Sequence, residues 1–221
     1  MDLTLYYHPF SSYCQKALIA LYETGTPVAL RLIDLADPDQ RAELEQLWPL
    51  VKFPVLRDQK RDATIPESSL IVAYVDHHYP GSAPLIPADF DAALRVHLLD
   101  RLIDNCLLDQ VTKVVADQFR DEGRHDPDGV EQAKGLIATA YRILEAQLSG
   151  KGWLAGEAFT LADCAAAPAL FYANTIVPLD GHPKVSSYYH RVLGRPSFAR
   201  AVEEARPFRH LYPLPWPAAY A

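Results

Sequence analysis

Tyr6-Tyr7-His8-Pro9-Phe10-Ser11-Ser12-Tyr13-Cys14-Gln15-Lys16 joins two kinds of pattern. Before it, Leu3-Thr4-Leu5-Tyr6 is rich in β-formers and reads as a strand. After it, Cys14, Ala17, Leu18 and Leu21 recur at i, i+3, i+4 and i+7, the period of an amphipathic helix. Pro9 breaks the strand, and Ser12 with Gln15 three residues on has the spacing of a capping box. The stretch is a strand, a tight loop and a helix start, with Ser11 at the mouth. Free N–H groups and the helix dipole at such an end stabilise a thiolate, carboxylate or phosphate. A capped turn between strand and helix is also common without any function, so the rest of the chain has to decide.

Working outward, Gly25 is a natural end for the first helix. Residues 27–33 alternate, with Val28, Leu30 and Leu32 on one face, and predict a second strand. Asp37-Pro38-Asp39 opens a short helix that Pro49 ends. Phe53-Pro54-Val55-Leu56 predicts a strand beginning at a proline, which has no ladder bond to donate, and the bond before Pro54 is a candidate for cis. A polar turn over 58–62 and a fourth strand over 63–65 follow, and then Pro66-Glu67-Ser68-Ser69 leads into a helix with Leu70, Ile71, Tyr74 and Val75. The order is β, α, β, α, β, β, α within residues 1–80. Pro80-Gly81-Ser82-Ala83-Pro84 reads as a linker, taken over 81–88.

Residues 89–221 are helical in pattern. A single long helix is expected over 89–119, a charged turn over 121–129 and a second helix over 130–148. Gly150 to Gly156 is a loop, including Lys151, after which Thr160 and Asp163 open an apolar helix at capping-box spacing. Shorter helices follow over 184–193 and 197–205, and Pro207, Pro213, Pro215 and Pro217 predict an extended tail.

With 221 residues, 49% of them hydrophobic, the chain can bury a sizeable core. A net charge of −7 argues against nucleic acid or an anionic membrane as partner. No apolar run approaches the ~20 residues of a membrane span, and no basic region with an apolar run behind it opens the chain, so no secretory signal is expected. Cys14, Cys106 and Cys164 are odd in number, far apart and without metal-ligand spacing, so no metal is expected. They suit a reducing cytoplasm, with Cys106 and Cys164 as buried packing residues.

Taken together and in this order, four segments resemble the cytosolic glutathione transferases: Ser11-Ser12-Tyr13-Cys14, Phe53-Pro54-Val55-Leu56, Pro66-Glu67-Ser68-Ser69-Leu70-Ile71 and Thr160-Leu161-Ala162-Asp163. Gly194-Arg195-Pro196-Ser197-Phe198 resembles a common bacterial ending of the same family. The resemblance implies an α/β thioredoxin-like N-terminal domain joined to an all-α helical C-terminal domain, and a homodimer. It implies glutathione as co-substrate and a hydrophobic small-molecule electrophile as partner. Ser11 stands where serine-type members place the thiol-activating hydroxyl; Tyr7, at the end of the first strand, is the alternative, with Ser12 and Cys14 behind them. Phe53, beside Pro54, would pair through its backbone with the cysteinyl part of glutathione, and Glu67 and Ser68 would grip its γ-glutamyl end. Lys52 is either a contact for a ligand carboxylate or a solvated lysine, and Glu67 and Ser68 are otherwise helix caps. Thr160 and Asp163 are structural under either reading. Phe10, Val111, Val115 and Tyr172 line the electrophile pocket or pack the core, and Tyr212 and Trp216 are candidates to cover it. The runner-up functions are a glutathione-dependent disulfide reductase or isomerase, and a non-catalytic binding protein on the same scaffold.

Overall fold

A computed structural model describes residues 2–148 and 152–216, so the expected loop residues Gly150 and Lys151 and the tail residue Pro217 lie outside the described part. The N-terminal domain has the expected order: β1 (Leu3–Tyr7), α1 (Ser12–Thr24), β2 (Ala29–Leu32), α2 (Pro38–Leu47), β3 (Val55–Asp58), β4 (Ala63–Pro66) and α3 (Ser68–His78). Its strands form one mixed sheet in the order β2-β1-β3-β4. β1 is parallel to β2, with Leu5 opposite Leu30, and antiparallel to β3, with Leu5 opposite Leu56. The parallel pair needs a crossover, which α1 supplies, whereas a short turn joins antiparallel β3 and β4. β2 is an edge strand, and there Leu30 and Leu32 stay partly exposed while Ile33 is buried. The Phe53–Pro54 peptide is cis.

α1 lies at the interface between the domains. It packs on α3 on one side and on α7 (Leu161–Ala173) and α9 (Pro196–Ala205) on the other, so every residue from Cys14 to Leu21 is buried. Burial on both sides is why Gln15 and Lys16 are enclosed despite their polarity. Gly25 ends the helix at φ 66°, the left-handed conformation that glycine adopts without strain. The start differs from expectation. Ser11, not Ser12, is the cap: its backbone is extended and its Oγ accepts the Cys14 N–H at 3.4 Å. Gln15 completes no capping box, because its carboxamide turns inward to the Pro9 carbonyl and the Tyr172 hydroxyl.

The helical domain contains α4 (Phe90–Ile103), a π turn (Asp104–Leu108), α5 (Asp109–Asp117), α6 (Pro127–Gln147), α7, α8 (Pro183–Leu193) and α9, followed by a 3₁₀ turn (Arg206–Leu211). The single helix expected over 89–119 is thus interrupted: the Asp109 N–H bonds to the Asp104 carbonyl, an i→i+5 bond. The expected charged turn ends earlier than Gly129. Asp126 caps α6 by accepting the Gly129 N–H at 2.9 Å, and Pro127 takes the first helical position, where its missing N–H costs nothing. The tail is not extended throughout, since Pro207 sits at the start of the 3₁₀ turn. Cys164 is fully buried, but Cys106, on the π turn, is only partly so.

Every residue of α7 is buried, and its alanines let α1 and α4 pack closely against it. Its start is the expected capping box. Asp163 accepts from the Thr160 N–H at 2.8 Å, the Thr160 hydroxyl at 3.0 Å, the Leu154 N–H at 2.9 Å and the Tyr188 hydroxyl at 2.7 Å. Burial still holds its carboxyl above the usual range, against those bonds. The Gly194-Arg195-Pro196-Ser197 segment clamps the far end of α1. Arg195 makes a two-pronged pair with Glu23 at 2.7 and 2.5 Å and lies 4.8 Å from the Trp153 ring and 3.9 Å from the Phe159 ring. Among the described residues no helix is long and apolar enough to cross a membrane.

Candidate functional site

Two cavities share a seam between the domains. The first, of about 210 Å³, is walled by Trp48, Lys52, Phe53 and Pro54 from the segment before β3, by Glu67 and Ser68 from the start of α3, and by Arg101, Asp104 and Asp109 from the helical domain. The second, of about 400 Å³, is mostly apolar, with Phe10, Val111, Val115, Tyr172 and Tyr212 in its walls. Ser11, Ser12 and Thr112 line it as well and add aliphatic hydroxyls. Tyr13, Lys52, Phe53 and Asp109 line both and form the seam.

The structure therefore brings Lys52, Phe53, Pro54, Glu67 and Ser68 together in one cavity and sets Ser11 in its neighbour. Tyr7 lines neither. It packs against the core of β1, α1 and α3, and burial, with Glu204 and Cys14 nearby, holds its hydroxyl above the usual tyrosine range. Phe10, Val111, Val115 and Tyr172 wall the apolar cavity and also pack in or against the core of the helical domain, so the two expected readings overlap. Tyr212 joins them, and Trp216 stacks on Phe10 with ring centroids 5.6 Å apart.

Two helix starts face this cleft. Ser11 caps α1 through its oxygen lone pair, and its hydroxyl also lies in hydrogen-bonding contact with the buried Cys14 thiol, a weak acceptor from which a charged acceptor would draw the proton. α3 begins with no side-chain cap: Glu67 occupies the cap position at φ 68°, ψ 120°, with its carboxylate exposed and making no capping bond. A residue with a Cβ is strained at such a φ. Ser68, nearly buried, is the first helical residue. The uncapped N–H groups and positive dipole end of α3 are thus left for a ligand anion. Cys14 is a different kind of group. It is fully buried, accepts the His8 N–H at 3.5 Å, and burial pushes its thiol up to about 12.

The helical domain answers with charge. In a regular α-helix residues five apart point about 140° away from each other. The π turn removes much of that offset, and Asp104 and Asp109 both line the first cavity. Asp109 accepts the Tyr13 hydroxyl at 2.6 Å. Asp104 belongs to a buried cluster in which Lys16 Nζ lies 2.5 Å from Asp100, 2.9 Å from Asp104 and 2.8 Å from the Ser69 hydroxyl. Burial, with Asp100 beside it, holds the Asp104 carboxyl above the usual range, opposed by Lys16.

Residues 5–83 match the glutathione S-transferase N-terminal domain, and residues 110–196 match the C-terminal domain of the same family. A glutathione transferase family member from Pseudomonas fluorescens Pf-5, solved with bound glutathione, is 30% identical with a TM-score of 0.78, over 90% of this chain and 98% of that one. The chain belongs to the glutathione S-transferase family. Among curated relatives, a stringent starvation protein A homolog from Coxiella burnetii is 27% identical over 92% of each chain. Glutathione S-transferase F7 from Arabidopsis thaliana is 26% identical over 86% of this chain and 94% of that protein.

Several groups in the cleft of this glutathione S-transferase family member were not singled out from its sequence. The acids carried a signal. Asp100 and Asp104 stand one turn apart among Val96, Leu99, Ile103 and Leu107, on the buried face of the helix, where a carboxylate needs a partner. Trp48, Tyr13 and Asp109 carried none, because they come from segments far apart in sequence that meet only in the folded cleft.

Proposed function

We propose that the protein is a glutathione transferase: it binds glutathione in the first cavity, holds the thiol as a thiolate beside Ser11, and presents it to a hydrophobic electrophile in the second. The observation that carries this reading is the join between the cavities. A polar chamber ending at the uncapped start of α3 opens, past Tyr13 and Phe53, on an apolar chamber containing the Ser11 hydroxyl. The γ-glutamyl carboxylate goes to Ser68 and the α3 N–H groups, its ammonium towards Glu67, the cysteinyl backbone to Phe53 beside Pro54, and a carboxylate end to Lys52. Ser11 turns its hydroxyl from Cys14 to donate a hydrogen bond to the sulfur, whose own proton leaves to water. The thiolate then attacks the electrophile, forming the C–S bond as the leaving group departs or the acceptor double bond takes the electron pair.

Turnover of a chlorodinitrobenzene-type electrophile, compared with glutathione-dependent disulfide reduction, tests the activity. Conjugation with little reduction is expected, because Cys14 is sealed and a weak acid. The stringent starvation protein A homolog favours a second reading, a binding protein without turnover, since its name is not that of a transferase. Glutathione binding without conjugation of any electrophile is what that reading predicts. Ser68→Ala is expected to weaken glutathione binding by about 1–2 kcal/mol, the scale of one hydrogen bond to a charged group. Unchanged affinity by calorimetry would leave Ser68 as a packing residue only.

The reading includes a reducing, cytoplasmic setting, a division of the chain at residues 81–88, and a homodimer. Phe90, Leu94 and Leu98 form a stripe along α4 that is 75, 55 and 68% exposed, and Leu70 on α3 is 57% exposed. A contiguous exposed apolar face marks an association surface, and sedimentation at micromolar concentration tests the pairing.

A further inference from the structure

We propose that Tyr172 and Gln15 are positioning residues for thiol activation: from the interface with the helical domain they fix the two carbonyls that precede Ser11. The proposal rests on the reading of Ser11 given above. The loop before α1 has its polar groups taken up one by one. The Ser11 N–H donates to the His8 carbonyl at 3.0 Å, and the Phe10 N–H donates to His8 Nδ1 at 3.2 Å. The Pro9 carbonyl accepts from Gln15 Nε2 at 3.0 Å, and the Phe10 carbonyl accepts from the Tyr172 hydroxyl at 3.3 Å. Gln15 Nε2 also donates to the Tyr172 hydroxyl oxygen at 3.1 Å, so the loop, α1 and α7 are closed into one ring of hydrogen bonds.

Both side chains sit where polarity is costly. Gln15 is 0% exposed, and its Oε1 has no hydrogen-bond partner among the described residues. Tyr172 is 3% exposed. A leucine and a phenylalanine would fill these places without burying an unpaired amide oxygen. What the polar pair gains is its hold on the loop, and electrostatics give that hold a use. A carbonyl oxygen turned towards the sulfur would disfavour a thiolate, whereas the Ser11 hydroxyl and the helix N–H groups favour it. Gln15 and Tyr172 keep the Pro9 and Phe10 oxygens drawn into the α1–α7 interface. The other titratable or charged groups around the apolar cavity and this loop are His8 and Cys14, Tyr13 on α1, Lys52 before β3, Asp109 on α5 and Tyr212, which packs on the Tyr172 ring, and the substitutions at positions 15 and 172 replace none of them.

The test is the thiolate absorbance of glutathione-saturated protein against pH, with no electrophile present. Tyr172→Phe keeps the ring that walls the apolar cavity and removes only the hydroxyl. Gln15→Met keeps the length of the side chain. Each is expected to move the titration up by roughly half to one unit, a threefold to tenfold smaller acid dissociation constant for the bound thiol. The double variant should be no worse than either single one, because both break the same ring. Titrations that superimpose on wild type in folded Tyr172→Phe protein overturn the proposal and leave the Ser11 reading standing. A Ser11→Ala titration that superimposes on wild type overturns that reading, and this proposal with it.

Discussion

Lys16→Met is expected to cost about 3–5 kcal/mol of stability at pH 7, because removing one partner leaves uncompensated buried charge. Lys16 is fully buried and is the cation shared by Asp100 and Asp104, which are themselves nearly without solvent. The methionine fills most of the same space, so the loss reads the charge rather than a cavity. The deficit should shrink on acidification. Without Lys16, the charge that most opposes the effect of burial on the Asp104 carboxyl is gone, so its folded pKa rises further above the unfolded value of about 3.9. Between those two values the folded state binds more protons than the unfolded one, so stability falls as pH rises and recovers as pH drops. Urea denaturation at pH 7 and near pH 5 measures this. A loss below about 1 kcal/mol that ignores pH, the range of a surface pair, would mean the cluster is neutralised by other means.

Ser11→Ala is expected to slow conjugation about tenfold to hundredfold. One hydrogen bond to a charged group is worth roughly 1.5–3 kcal/mol, and each 1.4 kcal/mol or so is a factor of ten in rate. The substitution also removes the α1 cap, which by itself costs about 1 kcal/mol of stability. Melting must therefore be followed alongside rate. Ser11→Thr keeps both the cap oxygen and the donor proton and should retain most of the activity. Tyr7→Phe and Ser12→Ala are the controls. Neither should change the rate by more than about threefold, a difference under 1 kcal/mol. A large loss in Tyr7→Phe with none in Ser11→Ala would move the role to the strand, although Tyr7 lines neither cavity.

The order of elements in the N-terminal domain was legible because each strand and helix there carries its own period and its own breakers. Pro9, Gly25, Pro49 and Pro54 mark its boundaries by backbone chemistry alone. Local pattern failed where a residue serves two neighbours at once. Ser12 and Gln15 have capping-box spacing, but a helix enclosed on both sides draws Gln15 to Tyr172, 157 residues away in sequence. The π turn was invisible for a related reason. The residues of 104–108 suit an α-helix, and only the meeting of Asp104 with Lys16 and of Asp109 with Tyr13 across the domain boundary distinguishes the wider turn. The site divides the same way. Lys52, Phe53, Pro54, Glu67 and Ser68 lie in segments with motif chemistry, whereas Trp48, Arg101, Asp104 and Asp109 come to the cleft through the fold.

A crystal structure of the protein with glutathione tests the central claim most directly. The account predicts the γ-glutamyl carboxylate at Ser68 and the start of α3, the cysteinyl backbone against Phe53, and the sulfur within hydrogen-bonding distance of Ser11 Oγ at the edge of the apolar cavity. Glutathione bound with its sulfur against Tyr13 or Tyr7 and away from Ser11, or no glutathione in the cleft at millimolar concentration, would contradict it.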